Sequence, residues 1–436
     1  MKLISLLQTS ALSLLVIGSA LLVNPWSAND IFEFPKLIMF IGFTGFLAIT
    51  FIVEFAIGSA PKWREMPKEF IFLIIMLAGE ILAFIFSTNR HISLAGAPFR
   101  FQGLLTSLHS IVFLCTVFFF FSRNPKEKTD AVFLSLIGAL IASAVIALLP
   151  YAVSFESDNF LLWFHPAFFF DRVYGTFGNP NYFAAFLITG LPFLVAWKNF
   201  QRGRLKKFIV ALLIIFILIV LFLTGARSAW IASVIGFLLW GALKAVKKHG
   251  FAMLAITLAI ILLGIGGIIF QQARPSLGLE RLSIQSKNLT SMQTRLYLWK
   301  SGLKLFLTRP LTGVGQDAIR YNIEPYLPDH LKANEAFFID RTHSELIDIL
   351  ATRGIFAFIG YVGLFLALLT KGARFLFSSG ASDLRFAAVF FAFLSLLLFH
   401  SVNFSTVSSN ILLYFLGGYL IWGKTTFSPT DARSDK

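Results

Sequence analysis

Long apolar runs alternate with short polar connections along most of the chain. Twelve runs of roughly 17 to 25 residues are each long enough to cross a bilayer as an α-helix. Two pairs of neighbouring runs are separated only by residues 225–227 and 403–405, so these are the shortest breaks between runs. The pattern predicts an all-α polytopic membrane protein in which residues 1–436 form a single integral membrane domain. The runs lie near 4–23, 37–57, 70–87, 104–122, 130–153, 181–197, 207–224, 228–246, 251–270, 345–370, 384–402 and 406–423.

The first run has two interpretations. Lys2 precedes it, and the small residues Gly18, Ser19 and Ala20 resemble the cleavage site of a signal peptide. Because the run is long enough to span a bilayer, we predict a retained helix. Cleavage would leave the orientation of every later helix unchanged.

Composition agrees with a membrane protein and restricts the chemistry. The 436 residues are 57% hydrophobic and only 14% charged, and 52 of them are phenylalanine. The one cysteine, Cys115, falls within an apolar run. A disulfide framework or a thiolate metal site is therefore excluded.

Positive residues are unevenly distributed between the two sides of the predicted bundle. Of 37 lysines and arginines, 21 fall in alternate connections and near the termini, and only five fall in the short connections of the other side. Since cytoplasmic connections carry the excess of lysine and arginine, both termini are predicted to be cytoplasmic, including a short tail at 424–436. Residues 271–344 then form one large loop on the other, periplasmic side.

The net charge has the same origin. A formal charge of +15 would by itself admit a nucleic-acid partner. Because nearly all of this excess belongs to the cytoplasmic connections, it is a topology signal. No nucleic acid is predicted as a partner, and membrane lipids are.

The first polar feature on the periplasmic side runs from Arg172 into the sixth apolar run. Asn179 followed by Pro180 is a favourable start for a helix, which is a structural interpretation. The functional alternative is that Gly175 and Gly178 let backbone N–H groups approach an anion near the helix N-terminus, with Arg172 reinforcing the site.

The second feature is the short turn Thr-Gly-Ala-Arg227-Ser-Ala between two strongly apolar runs. In one interpretation Arg227 has a structural role, with its side chain extending toward the membrane interface. The other is anion binding, because a guanidinium at the start of a helix meets an anionic group together with the helix dipole.

The long polar segment contains a predicted amphipathic helix. Leu296, Trp299, Leu303 and Phe306 recur at helical spacing, which predicts a helix lying on the membrane surface with Arg295 near its start. Pro310, Gly313 and Gly315 predict that it ends there.

His343 lies at the periplasmic start of the tenth apolar run. Arg341 precedes it, and Glu345 and Asp348 follow. A lone loop histidine is usually solvated and inert, but these neighbours and the lipid–water boundary favour a general base, with Glu345 or Asp340 orienting the ring.

Other charged residues at helix edges are secondary candidates. Lys36, Arg90 and Arg100 lie in or beside periplasmic connections, and Glu80 lies within the third run. Charges in such positions are functional suspects by default. Headgroup anchoring or an internal ion pair is the alternative for each.

Taken together, the motifs resemble those of the O-antigen ligase and Wzy polymerase superfamily. The resemblance extends from about residue 24 to the last helix and includes the long loop. Each motif is weak alone, but five in this order on one membrane side form a specific pattern. They are Arg172 with Gly-Thr-Phe-Gly-Asn-Pro-Asn-Tyr182, Thr-Gly-Ala-Arg227-Ser-Ala, Thr-Arg295-Leu-Tyr-Leu-Trp299, Pro310-Leu-Thr-Gly-Val-Gly315, and Thr-His343-Ser with Arg-Gly354.

The resemblance implies a GT-C-like membrane glycosyltransferase that is inverting, metal-independent and free of cofactors. Its donor would be a glycan on undecaprenyl diphosphate, and its acceptor a hydroxyl such as that of lipid A core. His343 would be catalytic, and Arg227 and Arg295 would bind the diphosphate. The secondary candidates are Arg172, Arg341, Arg100, Lys36 and Glu345.

Other functions remain open at this stage. A Wzy-type polymerase or a protein O-oligosaccharyltransferase uses the same donor chemistry with a different acceptor. A lipid or glycan transporter would concentrate ionisable residues at the bilayer midplane in interrupted helices. Because the charges here concentrate at the periplasmic edge, the sequence favours an enzyme.

Overall fold

The computed structural model describes residues 2–24, 26, 30–58, 66–124, 126–152, 172–245, 291–334, 339–379 and 383–423. Within these residues the regular structure is entirely helical, as predicted. The α-helices are α1 (Lys2–Leu21), α2 (Glu33–Ile57), α3 (Phe70–Ile85), α4 (Arg90–Ala95), α5 (Leu104–Arg123), α6 (Lys126–Ala152), α7 (Pro180–Phe200), α8 (Arg204–Leu223), α9 (Arg227–Ala245), α10 (Ser291–Thr308), α11 (Asp329–Asn334), α12 (Glu345–Ser379), α13 (Leu384–Ser401) and α14 (Val407–Trp422).

The helices coincide with the predicted apolar runs wherever the two can be compared. Eight helices are long and apolar enough to cross a membrane, and α3, α9 and α14 are shorter apolar helices at three further predicted runs. The ninth predicted run, 251–270, lies outside the described residues. The breaks expected at 225–227 and 403–405 are confirmed, since α8 ends at Leu223 and α13 ends at Ser401.

Polar contacts concentrate at the two ends of the helix bundle. At one end α2, α5, α7, α9, α12 and α14 all begin; we call it the site end. The opposite end carries three salt bridges between helices, in keeping with the cost of placing ionised groups within the hydrocarbon layer. They are Arg123–Glu54 at 3.1 Å, Lys371–Glu69 at 3.2 Å and Arg385–Asp130 at 2.9 Å.

Helices differ in how much of their surface they bury. Most residues of α7 and nearly all of α14 are buried, whereas α2 and α8 leave side chains such as Ile52 and Leu205 exposed, as expected of helices that face lipid. Small residues allow the closest packing, between α3 and α12. A Cβ at Gly360 would lie 2.4 Å from the backbone nitrogen of Met76, so only glycine fits there.

A break in α12 explains two of the sequence motifs at once. Gly354 has a φ of +72°, and the backbone on either side bonds to the segment 310–315. Val314 N–H donates to the Ala351 carbonyl at 3.0 Å, and Ile355 N–H donates to the Pro310 carbonyl at 2.9 Å. A Cβ at Gly354 would lie 2.4 Å from the Leu311 carbonyl oxygen. The two motifs therefore fold together as one packed unit.

The predicted amphipathic helix is present as α10, and it has two apolar faces. Leu298 and Leu305 are buried in a second, smaller core with Val314 and Ile319. On the other face Leu296 and Leu303, from the predicted stripe, remain 43% and 42% exposed. The sequence pattern therefore identified the helix and its open face, and the buried face follows from packing on the segment after it. Leu307 and Leu311 extend the exposed row.

Candidate functional site

The turn between α13 and α14, residues 402–406, forms the centre of the site. Four side chains from distant parts of the chain surround the ring of Phe404. The Cζ atoms of Arg100 and Arg341 lie 4.5 Å and 5.4 Å from its centroid. The ring centroids of His343 and Tyr182 lie 5.3 Å and 5.8 Å away. Phe404 thus gathers two guanidinium groups and the candidate base around one aromatic ring.

Hydrogen bonds fix this turn to α12 and α10. Glu345 N–H donates to the Asn403 carbonyl at 2.9 Å, and its carboxylate Oε2 accepts from Ser405 N–H at 2.8 Å. From α10, Arg295 Nη1 donates to the Val402 carbonyl at 2.9 Å, and Nη2 donates to Asn403 Oδ1 at 3.4 Å. The predicted residues Glu345 and Arg295 therefore meet on the same turn.

Asn403 also connects the turn to the start of α9. Its Nδ2 donates to Ser228 Oγ at 2.9 Å, and Ser228 directly follows Arg227. Arg227 itself is exposed and forms no hydrogen bond or salt bridge with a described residue. Two candidate arginines that are 68 positions apart in sequence are thereby held on one framework.

Arg172 lies close to Arg227 and is held by neutral oxygens. Its Nε donates to the Thr224 carbonyl at 2.6 Å, and Nη2 donates to Asn181 Oδ1 at 3.2 Å. Burial and, second, the positive charge of Arg227 lower the pKa of Arg172 to about 10. The guanidinium remains charged at neutral pH, and it lies beside another cation with no carboxylate partner among the described residues.

Arg172, Arg227 and Arg295 share one property, and we call them the unpaired arginines. None of the three has a carboxylate partner among the described residues, and burial lowers the pKa of Arg295. Guanidinium groups whose hydrogen-bond partners are neutral keep their full positive potential. The group is therefore suited to bind an anion.

Three other arginines at the site end are neutralised by carboxylates, and we call them the paired arginines. Arg341 Nη2 lies 2.6 Å from Asp317 Oδ1, Arg353 Nη1 lies 3.1 Å from Glu80 Oε1, and Arg100 Nε lies 2.5 Å from Asp340 Oδ2. Burial alone would raise the pKa of Asp340, but Arg100 and Arg341 outweigh it and hold that pKa below its usual value. These pairs provide structure more than free charge.

His343 is half-buried, and its ring nitrogens have no hydrogen-bond partner among the described residues. Burial and, second, the charge of Arg295 lower its pKa to about 4, so the imidazole is neutral and able to accept a proton at neutral pH. Neither carboxylate expected to orient the ring bonds to it. Asp340 bonds to Arg100, and Glu345 bonds to Ser405.

The remaining sequence candidates lie outside this cluster. Lys36 is fully buried, where its Nζ donates to the Thr176 carbonyl at 2.9 Å and lies 3.9 Å from Glu33 Oε1. Glu80 pairs with Arg353, so for both residues the internal ion pair anticipated as an alternative is present. Arg90 is exposed and donates to the Ile85 carbonyl at 3.1 Å.

The glycines after Arg172 are explained by packing. Asn179 caps α7 by accepting from Asn181 N–H at 2.8 Å, with Pro180 in the first turn, as the structural interpretation predicts. A Cβ at Gly178, where φ is +66°, would lie 2.3 Å from the Phe32 ring. The close neighbour of Gly178 is thus another side chain of the protein.

Sequence reasoning missed the residues that assemble the site. Phe404, Asn403, Tyr182 and Asp317 were not candidates, although each contacts one that was. A signal was present, because residues 403–410 place six polar side chains between two apolar runs. Polar groups at buried helix ends are almost always hydrogen-bonded, so this cluster is a sequence signal for a polar site.

Comparison with known proteins supports the resemblance. Residues 211–362 match the family model described as O-antigen ligase, a range that includes Arg227, Arg295 and His343. A comparison with curated proteins found no match. The match confirms the resemblance inferred from the motifs. Residues 211–362 of this polytopic membrane protein are therefore similar to the O-antigen ligase family.

Proposed function

We propose that the protein is an inverting glycosyltransferase that moves a glycan from undecaprenyl diphosphate to an acceptor hydroxyl at the site end. The observation that carries this proposal is Arg295 close to the neutral base His343, with Asn403 connecting Arg295 to Ser228 at the start of α9, directly after Arg227. A diphosphate leaving group needs positive charge, and a hydroxyl nucleophile needs a proton acceptor. Both requirements are met around one turn.

The chemical step balances with these groups alone. The acceptor oxygen attacks the anomeric carbon as the bond from that carbon to the diphosphate oxygen breaks, and the electron pair leaves with the diphosphate. The proton of the acceptor hydroxyl passes to His343. Because negative charge grows on the diphosphate, Arg227 and Arg295 stabilise the transition state more than the ground state.

Guanidinium groups take the role that a divalent cation has in many glycosyltransferases. Arg227 begins α9, so a diphosphate beside it also meets the positive end of that helix. We expect EDTA to leave the transfer rate unchanged. Inhibition that is reversed by magnesium would contradict the arginine-based mechanism.

Among acceptors, we propose ligation of a finished glycan to an acceptor such as lipid A core. Polymerisation of repeat units and transfer to a protein hydroxyl are the alternatives. The test incubates purified protein with a lipid-linked glycan and each acceptor, and separates the products by size. A ligated conjugate supports ligation, and a longer lipid-linked chain contradicts it in favour of polymerisation.

The same assay tests the roles of the residues. His343→Ala and Arg227→Ala should abolish transfer and leave membrane insertion intact. Arg202→Ala, an exposed arginine at the opposite end, is the matched control and should retain full activity. Normal transfer by either of the first two variants would refute the assignment.

Sidedness is part of the proposal, with the site end facing the periplasm and both termini in the cytoplasm of a bacterial inner-membrane protein. Replacement of Cys115 by alanine permits labelling of single introduced cysteines. A membrane-impermeant maleimide should label Lys304→Cys, exposed on α10, in intact spheroplasts and should not label Arg202→Cys. The reverse result would invert the topology.

A further inference from the structure

The backbone of His343 is in an unusual conformation. Its φ is +60°, in the left-handed region that side chains other than glycine seldom adopt. A residue remains in this region when its surroundings determine its conformation, and such residues are frequent at functional sites. The contacts that hold the chain on each side of His343 therefore matter for where its ring points.

One buried carboxylate provides most of these contacts. Asp348 Oδ1 accepts from Thr342 N–H at 2.9 Å and from Thr342 Oγ1 at 2.7 Å, directly before His343. Directly after it, the Ser344 carbonyl accepts from Asp348 N–H at 2.9 Å. Asp348 thus bonds to both neighbours of His343. Asp348, Thr342 and Ser344 are buried, whereas the His343 ring is half-exposed beside Phe404.

The second carboxylate in this helical turn has a different task. Glu345 holds the 402–406 turn through Ser405, so it positions Phe404. Asp348 holds the segment that carries His343. The two acids at the start of α12 therefore fix the two sides of the contact between the ring of Phe404 and the imidazole.

Stability alone does not explain a carboxylate at position 348. Its second oxygen, Oδ2, is buried with no hydrogen-bond partner among the described residues. The nearby Arg341 is already paired with Asp317. A buried carboxylate with one unbonded oxygen is costly, so its retention calls for a role that an apolar residue would not fill.

We infer that Asp348 is a positioning residue for the general base, because its two bonds to Thr342 hold His343 in the conformation that directs the imidazole toward Phe404 and Arg295. The inference rests on the proposed function, since it matters only if His343 accepts the proton. Asp348 does not touch the reacting atoms.

Purified full-length variants test this with the lipid-linked glycan in the transfer assay. Asp348→Ala removes both bonds and should lower kcat about 100-fold, the typical effect of misplacing a catalytic group by about 1 Å. KM for the donor should stay unchanged, because the unpaired arginines are untouched. Asp348→Asn retains an oxygen that accepts from Thr342 and should restore kcat to within about 10-fold of wild type.

Thr342→Val is the complementary variant. It keeps the shape of the side chain and the N–H donor but removes the hydroxyl, which lies 2.7 Å from Asp348 Oδ1 and 3.3 Å from the Ser344 carbonyl oxygen, so kcat should fall about threefold to tenfold. Thr352→Val is the matched control, because the Thr352 hydroxyl donates to the backbone carbonyl of Asp348, at 2.6 Å, and not to its carboxylate. It should leave kcat unchanged.

A pH profile separates positioning from a general structural effect. Charged groups on three segments influence the imidazole. They are Arg295 on α10, Arg100 before α5, and Asp340 and Arg341 on its own segment. When the ring is released from its buried position in Asp348→Ala, the acid limb of kcat/KM should move upward toward the ordinary histidine value near 6.5. A purely structural loss would lower activity at every pH with an unmoved limb.

The outcomes are distinct. Wild-type kcat in Asp348→Ala, or equal losses in Asp348→Ala and Asp348→Asn with an unmoved acid limb, would overturn the positioning role and leave the proposed function standing. Full activity in His343→Ala would refute the proposed function itself. If Asp348→Ala does not fold, Asp348→Asn and Thr342→Val decide the question on the same criteria.

Discussion

The site end holds two sets of arginines that differ in one respect. Arg100, Arg341 and Arg353 each contact a carboxylate within 3.1 Å. Arg172 and Arg295 are held by carbonyl and amide oxygens, and Arg227 by no described residue. The first set is neutralised inside the protein, and the second has no carboxylate partner in the part of the chain that the structure describes.

This difference distinguishes arginines that stabilise the fold from arginines whose charge is available to a substrate anion. An ion pair buried at low dielectric loses most of its long-range field and contributes mainly by keeping its partners in place. An arginine that only donates to neutral oxygens keeps its attraction for a diphosphate, which strengthens as water is excluded. Their hydrogen-bond partners therefore distinguish the arginines proposed to bind the substrate, although the positions of all six along the chain look equivalent.

The largest expected effect is on an unpaired arginine. Arg295→Ala should lower kcat/KM about 1,000-fold, as removal of a donor to developing negative charge does in other enzymes. Arg295→Lys should recover part of this loss, because it keeps the charge but not the two-pronged contact with the 402–406 turn. Arg309→Ala, which removes an exposed arginine beyond the same helix, should be nearly neutral. Equal losses in Arg295→Ala and Arg309→Ala would show that the loss does not depend on the position of Arg295 at the 402–406 turn, and would contradict its role in diphosphate binding.

A paired arginine should instead affect stability. Arg341→Met leaves Asp317 buried without its cation and should lower the free energy of unfolding by about 3–5 kcal/mol. The double variant Arg341→Met with Asp317→Asn should recover part of that loss, since no charge is then stranded. Thermal and denaturant unfolding in detergent measure both. A fully stable Arg341→Met protein with defective donor binding would move Arg341 into the unpaired set.

A smaller effect is expected when the aromatic ring of Phe404 is replaced. Phe404→Leu removes the aromatic face from Arg100, Arg341 and His343 but keeps most of the volume. Contacts of this kind contribute about 0.5–2 kcal/mol each when shielded from water, so kcat/KM should fall about 10-fold. Phe404→Tyr keeps the ring and should retain more activity. Identical results for the two variants would show that the ring face is unimportant.

The smallest expected change concerns pH. His343 must be neutral to accept a proton, and its pKa is lowered to about 4, by burial first and Arg295 second. Protonation therefore sets in only as the pH falls toward 4, and kcat/KM should change little between about pH 8 and pH 5.5. An acid limb near 6.5 in the wild type would show that the imidazole is more exposed and less affected by Arg295 than the structure indicates.

Much of the fold followed from the sequence because hydrophobic length is a local property. Eleven predicted runs appear as described helices, and even the breaks at 225–227 and 403–405 were readable from a few polar residues. The helix after Ser291 was readable from its periodicity. Its buried face was not, because Leu298 and Leu305 pack on residues that follow in an irregular segment.

For the site, the sequence by itself determined the all-helical membrane architecture and which residue types lie near the site end, including Arg227, Arg295 and His343. Only the tertiary structure decided which arginines are paired, because the partners are far apart in the chain, as with Arg100 and Asp340. It also placed Phe404 beside His343 and bonded Asp348 to Thr342, the residue directly before His343. The sequence shows which residues are charged, but whether a charge is neutralised depends on contacts that form only when the helices pack.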